Sequence, residues 1–319
     1  MCACCGLSVI AQARHAADEP IFEELARIEQ QASLVHSARA SYSVSYLPTT
    51  PEEMRRINLF FRLQNQEYRA GSYYRSAQQD RRRSYRSIWF RQGAKEREER
   101  ANVARPAVTE TTVFDGEVVK TLDNTPFRTC LYIAPANFQW TNQSRIQPFS
   151  FAFEFRSSSH AELIRRSPQR WLVRRRETNG AMTEIVVRHP TEDRLRLHFT
   201  FDDKHRLISR EMVLTQSSAI LTLDRDEPAV VSRHEFFDHK PYDLGEGNTL
   251  WFPSKVILRY YLGNLSDGTP VQSNAVQIDI GDIEFNADIP AEKFVLSVPE
   301  GVTVYDHRDD RFLTTSQSY

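Results

Sequence analysis

The chain has 319 residues, of which 40% are hydrophobic and 26% charged, with a formal net charge of -1. That is the composition of a folded globular chain. It excludes a helical membrane span, since no run approaches ~18 consecutive apolar residues, and it removes any global electrostatic case for nucleic-acid binding. Arginine outnumbers lysine 35 to 6, a skew of genome-composition type rather than a set of chosen contacts.

Cys2, Cys4 and Cys5 crowd the start and Cys130 stands alone in the body, so neither a disulfide framework nor a four-ligand zinc site is offered. The run 2–13 is small and apolar and ends in Ala11-Gln12-Ala13, the form read by signal peptidase. Residues 1–13 are therefore expected to be a signal-peptide remnant, with export to the periplasm or beyond; without it the chain would be cytoplasmic.

An amphipathic helix is expected from Pro20 to Ser37, because Ile21, Leu25, Ile28, Ala32 and Val35 form one apolar stripe. Ala38–Leu47 alternates Tyr42, Val44 and Tyr46 with small polar residues and reads as a strand. A second helix should begin at Thr50, where Thr-Pro-Glu-Glu is a capping box with proline at the first helical position, and should end by Gly71. The stretch Arg69–Arg105 holds 11 Arg/Lys against 4 Asp/Glu, and its part 72–83 lacks apolar periodicity, as a long surface loop would.

From Ser84 the pattern is β almost throughout. Ser84–Arg97 and Val108–Leu122 are expected strands, the second broken by an Asp115-Gly116 hairpin turn. Met182–Arg188, Arg194–Phe201 and Leu207–Leu214 form a meander with one dry and one wet face. Val256–Tyr261 and Val276–Phe285 continue in the same style. In the closing segment Phe294, Leu296 and Val298 are expected to share one face of a strand. Pro299-Glu300-Gly301 then breaks it before Val302 and Val304 resume the alternation. The fold class is mainly β (α+β): a curved antiparallel sheet, an unclosed half-barrel, with an N-terminal amphipathic helix and lid helices. The expected organisation is a single domain over 18–307 with an insertion around 48–105, then a polar tail at 308–319.

Residues able to do chemistry are scattered. Arg233–His239 (RHEFFDH) holds His234, Glu235 and His239, but the two histidines are five apart, off the common face that a helical zinc motif needs. No Gly-x-Ser-x-Gly elbow is present. The apolar positions carry more. Trp89, Trp171 and Trp251, with Leu195, Leu197, Phe199, Val256 and Leu258, lie in or beside expected strands. They either pack the core or line an apolar cavity on the concave face.

Taken together, the helix around Phe22–Val35 leading into Ala40–Tyr46, the meander 182–214 and the segment 247–255 (GNTLWFPSK) resemble the LolA/LolB-like lipoprotein localisation factors. The closing residues Asp288–Phe294, Val298–Gly301 and Val304–Asp306 add to the likeness, which spans 20–307. The resemblance implies an unclosed half-barrel with helices plugging its mouth, an apolar cavity for acyl chains or apolar polypeptide, and no cofactor or catalysis. The expected role is an exported, non-catalytic binding protein that takes a lipid or lipidated protein, without nucleic acid and without spanning the membrane. An envelope regulator that recognises a protein partner through the basic 69–105 stretch is the alternative. A metal hydrolase using His234, Glu235 and His239 is a third reading.

Overall fold

The structure is a computed structural model. It describes residues 27, 30–31, 33–65, 84–135, 173–178, 182–188, 195–214, 228–308 and 311–314. The start 1–13, most of the first expected helix, Gly71, the loop 72–83 and Trp171 lie outside them.

The described elements run β1 (Ser37–Tyr46), α1 (Pro51–Leu63), β2 (Tyr85–Gln92), β3 (Lys95–Asn102), β4 (Thr109–Phe114), β5 (Val118–Thr125), β6 (Arg128–Pro135), β7 (Val173–Thr178), β8 (Met182–Arg188), β9 (Leu195–Phe201), β10 (Leu207–Leu214), β11 (Ala229–Asp243), β12 (Thr249–Asn264), β13 (Pro270–Phe285), β14 (Thr303–Asp306) and β15 (Arg311–Thr314). They form one 15-stranded sheet in the order β15-β14-β6-β5-β4-β3-β2-β1-β13-β12-β11-β10-β9-β8-β7. β15 and β7 remain its edges, so the sheet curves without closing and the fold is the expected unclosed half-barrel. Two meanders, β2–β6 and β7–β13, are joined through β1, which pairs with β2 on one side and β13 on the other.

Several elements arise directly from local chemistry. Thr50 caps α1 through Glu53 N, and Glu53 answers to the Thr50 N–H, with Pro51 in the first turn. Ile57, Phe60 and Phe61 of α1 pack on Val271 at the end of the β12–β13 hairpin. The helix stops at Leu63 with Gln64 as its cap, well before Gly71. The first helix also ends earlier than expected: Ser33 is helical, Leu34 is in a turn, and Ser37 already belongs to β1. Asp115 accepts hydrogen bonds from Glu117 N and Val118 N and makes the β4–β5 turn.

Two expected strands are resolved differently. Ser84–Arg97 is a hairpin rather than one strand, turned at Gly93, whose φ of 56° suits glycine. Residues 85–102 of the expected insertion thereby sit inside the sheet, next to β1. The segment Phe294–Val298 is not a strand. Ala291–Phe294 is a 3-10 turn, and the chain from there to β14 is a strap outside the sheet ladders.

That strap begins at Asn286, whose side chain accepts from His36 N (2.8 Å) and donates to Leu34 O (3.0 Å), tying the exit of β13 to the entry of β1. It then passes over β2 and β3. Ile289 and Phe294 pack on Phe90, and Arg97 donates to the carbonyls of Lys293 and Val295 (3.1 and 3.0 Å). Leu296, Val298, Val302 and Val304 finally cover Leu131 and Ile133 of β6, and β14 joins β6 in parallel. Arg311–Thr314, expected in a polar tail, adds β15 as an edge strand.

The main core lies on the other side of these strands. Ala38, Ala40, Tyr42 and Val44 of β1 alternate into it beside Trp89, Phe236, Phe252, Val256, Leu258, Val276 and Ile278. We call this the core face, and the side crossed by the strap the opposite face.

Candidate ligand-binding groove

On the opposite face, the strands where the two meanders meet carry unusually small residues. One cross-strand row reads Asp279, Ser43, Arg86, Ala101, Thr109 from β13 to β4, and the next reads Ser41, Ile88, Glu99, Thr111 from β1 to β4. Beside Ser41 the β1–β13 register slips, and Gly281 lies at the irregularity. A Cβ on Gly281 would sit 2.9 Å from Ser41 Oγ, the same oxygen that accepts a hydrogen bond from Asp282 N (3.1 Å). Glycine is therefore required there by close approach rather than by backbone angle. The short side chains leave a groove of about 740 Å³ lined by both rows. That volume lies within the ~300–1,000 Å³ of small-molecule sites.

The chemistry of the groove is mixed. Ile88, an exposed aliphatic side chain, stands among hydroxyls, with Arg86, Asp279 and Glu99 around it. Two of these charges are engaged: Glu99 pairs with Arg97 Nε (2.6 Å), and Asp279 accepts from Gln277 Nε2 at 2.9 Å on each oxygen. The lining combines aliphatic and methyl contact with hydrogen-bonding groups, as suits an amphiphile.

Directly behind the groove, the core face of the same strands holds a buried ionic hub. Glu98 of β3 accepts from Arg100 Nε and Nη2 (both 2.8 Å), from Ser87 Oγ (3.0 Å) and from Tyr42 Oη. Arg100 also faces Glu110 (3.4 Å) and lies over the Tyr85 ring, 4.8 Å from its centroid. Burial, with the Glu98 charge adding to it, pushes the Tyr42 hydroxyl well above its ordinary range, so Tyr42 stays a donor. A carboxylate with four donors can remain charged in such a place. Arg97 and Arg100, two of the arginines in the basic stretch expected to meet a partner, are thus committed within the fold.

The sequence-derived candidates fall in three places. Trp89, Val256 and Leu258 share the main core cluster, with Val256 and Leu258 at 0% exposure. Leu197 and Phe199 are buried on β9, whose first residue is Leu195. Trp251 is separate: it is 37% exposed, and the Arg206 guanidinium lies 5.3 Å from its ring centroid. The open groove lies instead on the face the sequence marks as wet, because Ser41 and Ser43 carry no apolar signal.

RHEFFDH is part of β11, and its three candidate ligands diverge. His234 is buried on the core face, and burial, with Arg210 nearby, lowers its pKa to about 3. Glu235 is held by Arg259 Nε across the strands (2.7 Å), and Arg259 is itself bridged through Gln272 to Glu53 of α1 (3.0 and 2.5 Å). His239 lies beyond Asp238, which has a positive φ of 53°, and its Nε2 meets Leu207 O at 3.1 Å. Among the described residues no three His, Cys, Asp or Glu side chains gather as a metal site. Nor is any helix among them long and apolar enough to cross a membrane.

No family model matches the chain, and no curated protein does. Among solved structures it is similar to a domain from Vibrio parahaemolyticus named for outer membrane lipoprotein sorting, with 10% identity, a TM-score of 0.44, and coverage of 86% of this chain and 97% of that one. It is also similar to a DUF1329 family protein from Desulfovibrio piger, with 9% identity, a TM-score of 0.45, and coverage of 86% and 95%. Both are likenesses of fold alone.

Proposed function

We propose that the chain is a non-catalytic binding protein of the bacterial envelope that holds an apolar or lipidated ligand against its half-barrel. The observation that supports this reading is the 740 Å³ groove over the β13-β1-β2-β3-β4 junction. It is lined by the short residues Gly281, Ser41, Ser43 and Ala101, and it is backed by the buried Glu98 hub. Behind these strands Trp89 of β2 packs with Val256 and Leu258 of β12 in the main core, so the groove is held by packing rather than by loops. Covering a methylene stabilises by roughly 0.8 kcal/mol, so a short acyl segment suffices for useful binding without reactive groups.

Native mass spectrometry and lipid extraction of the purified protein test this reading. Co-purifying lipid is expected, and its loss is expected in Ala101→Trp, which fills the groove from its floor. A protein that carries no lipid, or an Ala101→Trp variant that carries as much as the parent, overturns it.

A further inference from the structure

A second cavity, of about 210 Å³, lies apart from the groove, where four parts of the chain meet. Arg27 and Gln31 come from the N-terminal helical residues. Lys204, His205, Arg206 and Leu207 come from the β9–β10 turn and the start of β10. Phe236 and His239 come from β11, and Thr249, Trp251 and Pro253 from β12. No carboxylate lines it among the described residues, while Arg27, Lys204 and Arg206 all do.

The charges are not equivalent. Arg206 is neutralised by Asp202, with Nε and Nη2 at 2.7 and 2.6 Å from Oδ2, while Oδ1 accepts from the Lys204 and Arg206 amides. That ion pair shapes the turn and lays the guanidinium over Trp251. His239 is held at the Leu207 carbonyl, and burial together with Arg206 lowers its pKa, so it forms a neutral wall. Asp238, which also faces His239 electrostatically, is not part of the lining. Lys204 and Arg27 make no ion pair with the described residues, and both are exposed at the rim. Gln31 Nε2 donates to Thr249 O (3.3 Å) and fastens the helical wall to β12. Leu207 and Phe236, on the cavity floor, also belong to or pack on the main core.

We propose that this cavity is a binding site for an oxyanion, a phosphate or carboxylate group, held by Arg27 and Lys204 above an apolar floor. Two cations without an ion-pair partner among the described residues line a partly open cavity, and they create charge-assisted hydrogen-bonding capacity. The space is smaller than a whole-ligand pocket, which fits an isolated charged group. The cavity shares no lining residue with the groove.

Calorimetric titration at low salt with inorganic phosphate, octyl phosphate and uncharged octyl glucoside tests it. Saturable binding of a phosphate probe is expected, weakened roughly tenfold or more in Lys204→Glu and in Arg27→Glu. The distant exposed substitution Arg128→Glu is expected to leave it unchanged, and the octyl probes are titrated into Ala101→Trp, whose filled groove cannot take their chains. Octyl phosphate binding more tightly than inorganic phosphate identifies the site as one for a head group; equal affinities identify it as one for a free oxyanion. Absence of saturable binding by either probe overturns the proposal. So does affinity within about twofold of the parent in both charge reversals, or an equal loss in Arg128→Glu.

Discussion

Replacing Arg100 by Met leaves the stem of the side chain in place but strips Glu98 of its counter-charge and of two of its four donors. The side chains of Arg100 and Glu98 are only 10% and 4% exposed, so solvent cannot take over. Breaking a buried pair on one side costs about 3–5 kcal/mol, because an uncompensated charge stays buried. The milder Tyr42→Phe removes one hydrogen bond to a charged group, worth about 1.5–3 kcal/mol. Taking both charges away, in Glu98→Gln with Arg100→Met, should restore more than half of the loss, since neither ion is then stranded. Urea unfolding followed by far-ultraviolet circular dichroism measures these differences as midpoint shifts at constant slope. A loss below about 1 kcal/mol for Arg100→Met, or strict additivity in the double variant, would refute the view of the hub as one coupled unit.

Two further outcomes rest on single residues. His234 binds its proton only near pH 3 in the folded chain, whereas an unfolded imidazole does so near 6.5. The unfolded state therefore holds the extra proton between these values, and stability should fall as pH drops from about 6.5 towards 3, by on the order of a few kcal/mol. Thermal unfolding of the parent and of His234→Leu across this range checks it; equal slopes for the two would contradict the assignment. Gly281→Ala should destabilise by about 1–3 kcal/mol, because its Cβ meets Ser41 Oγ. Adding Ser41→Ala should recover part of that loss in the same unfolding assay, and no recovery would place the strain elsewhere.

The half-barrel was legible because its strands announce themselves. Leu195, Leu197, Phe199 and Phe201 alternate without a fault, and the turns at 115–116 and 202–204 carry aspartates that bond their own backbone. β3 was not legible. KEREERAN looks like a solvated charge run, yet Glu96 and Glu98 are buried. For Glu98 this holds because its partners arrive from other strands and from Arg100 two residues on. Hydrophobic periodicity has no term for a carboxylate neutralised across a ladder. The groove escaped for a related reason. Its defining property is a row of missing volume, and the close approach of Gly281 to Ser41 depends on a β1–β13 register linking residues 240 apart. The second cavity carried no sequence signal, because Arg27, Lys204 and Trp251 come to line one space only once the chain is folded.

The strap has a consequence for the order in which the protein forms. β2 to β6 pair with their sequence neighbours and need only short loops, so this meander can assemble as soon as it leaves the ribosome. Its opposite-face apolar residues Phe90, Leu131 and Ile133 are covered by Ile289, Phe294, Leu296 and Val302, which are synthesised more than 150 residues later. During that interval the nascent meander displays a bare apolar stripe and an unpaired β6 edge. Residues 289–306 supply both the cover and, in β14, the cap for that edge, so the strap works as a latch that makes its own emergence the condition for a fully covered meander.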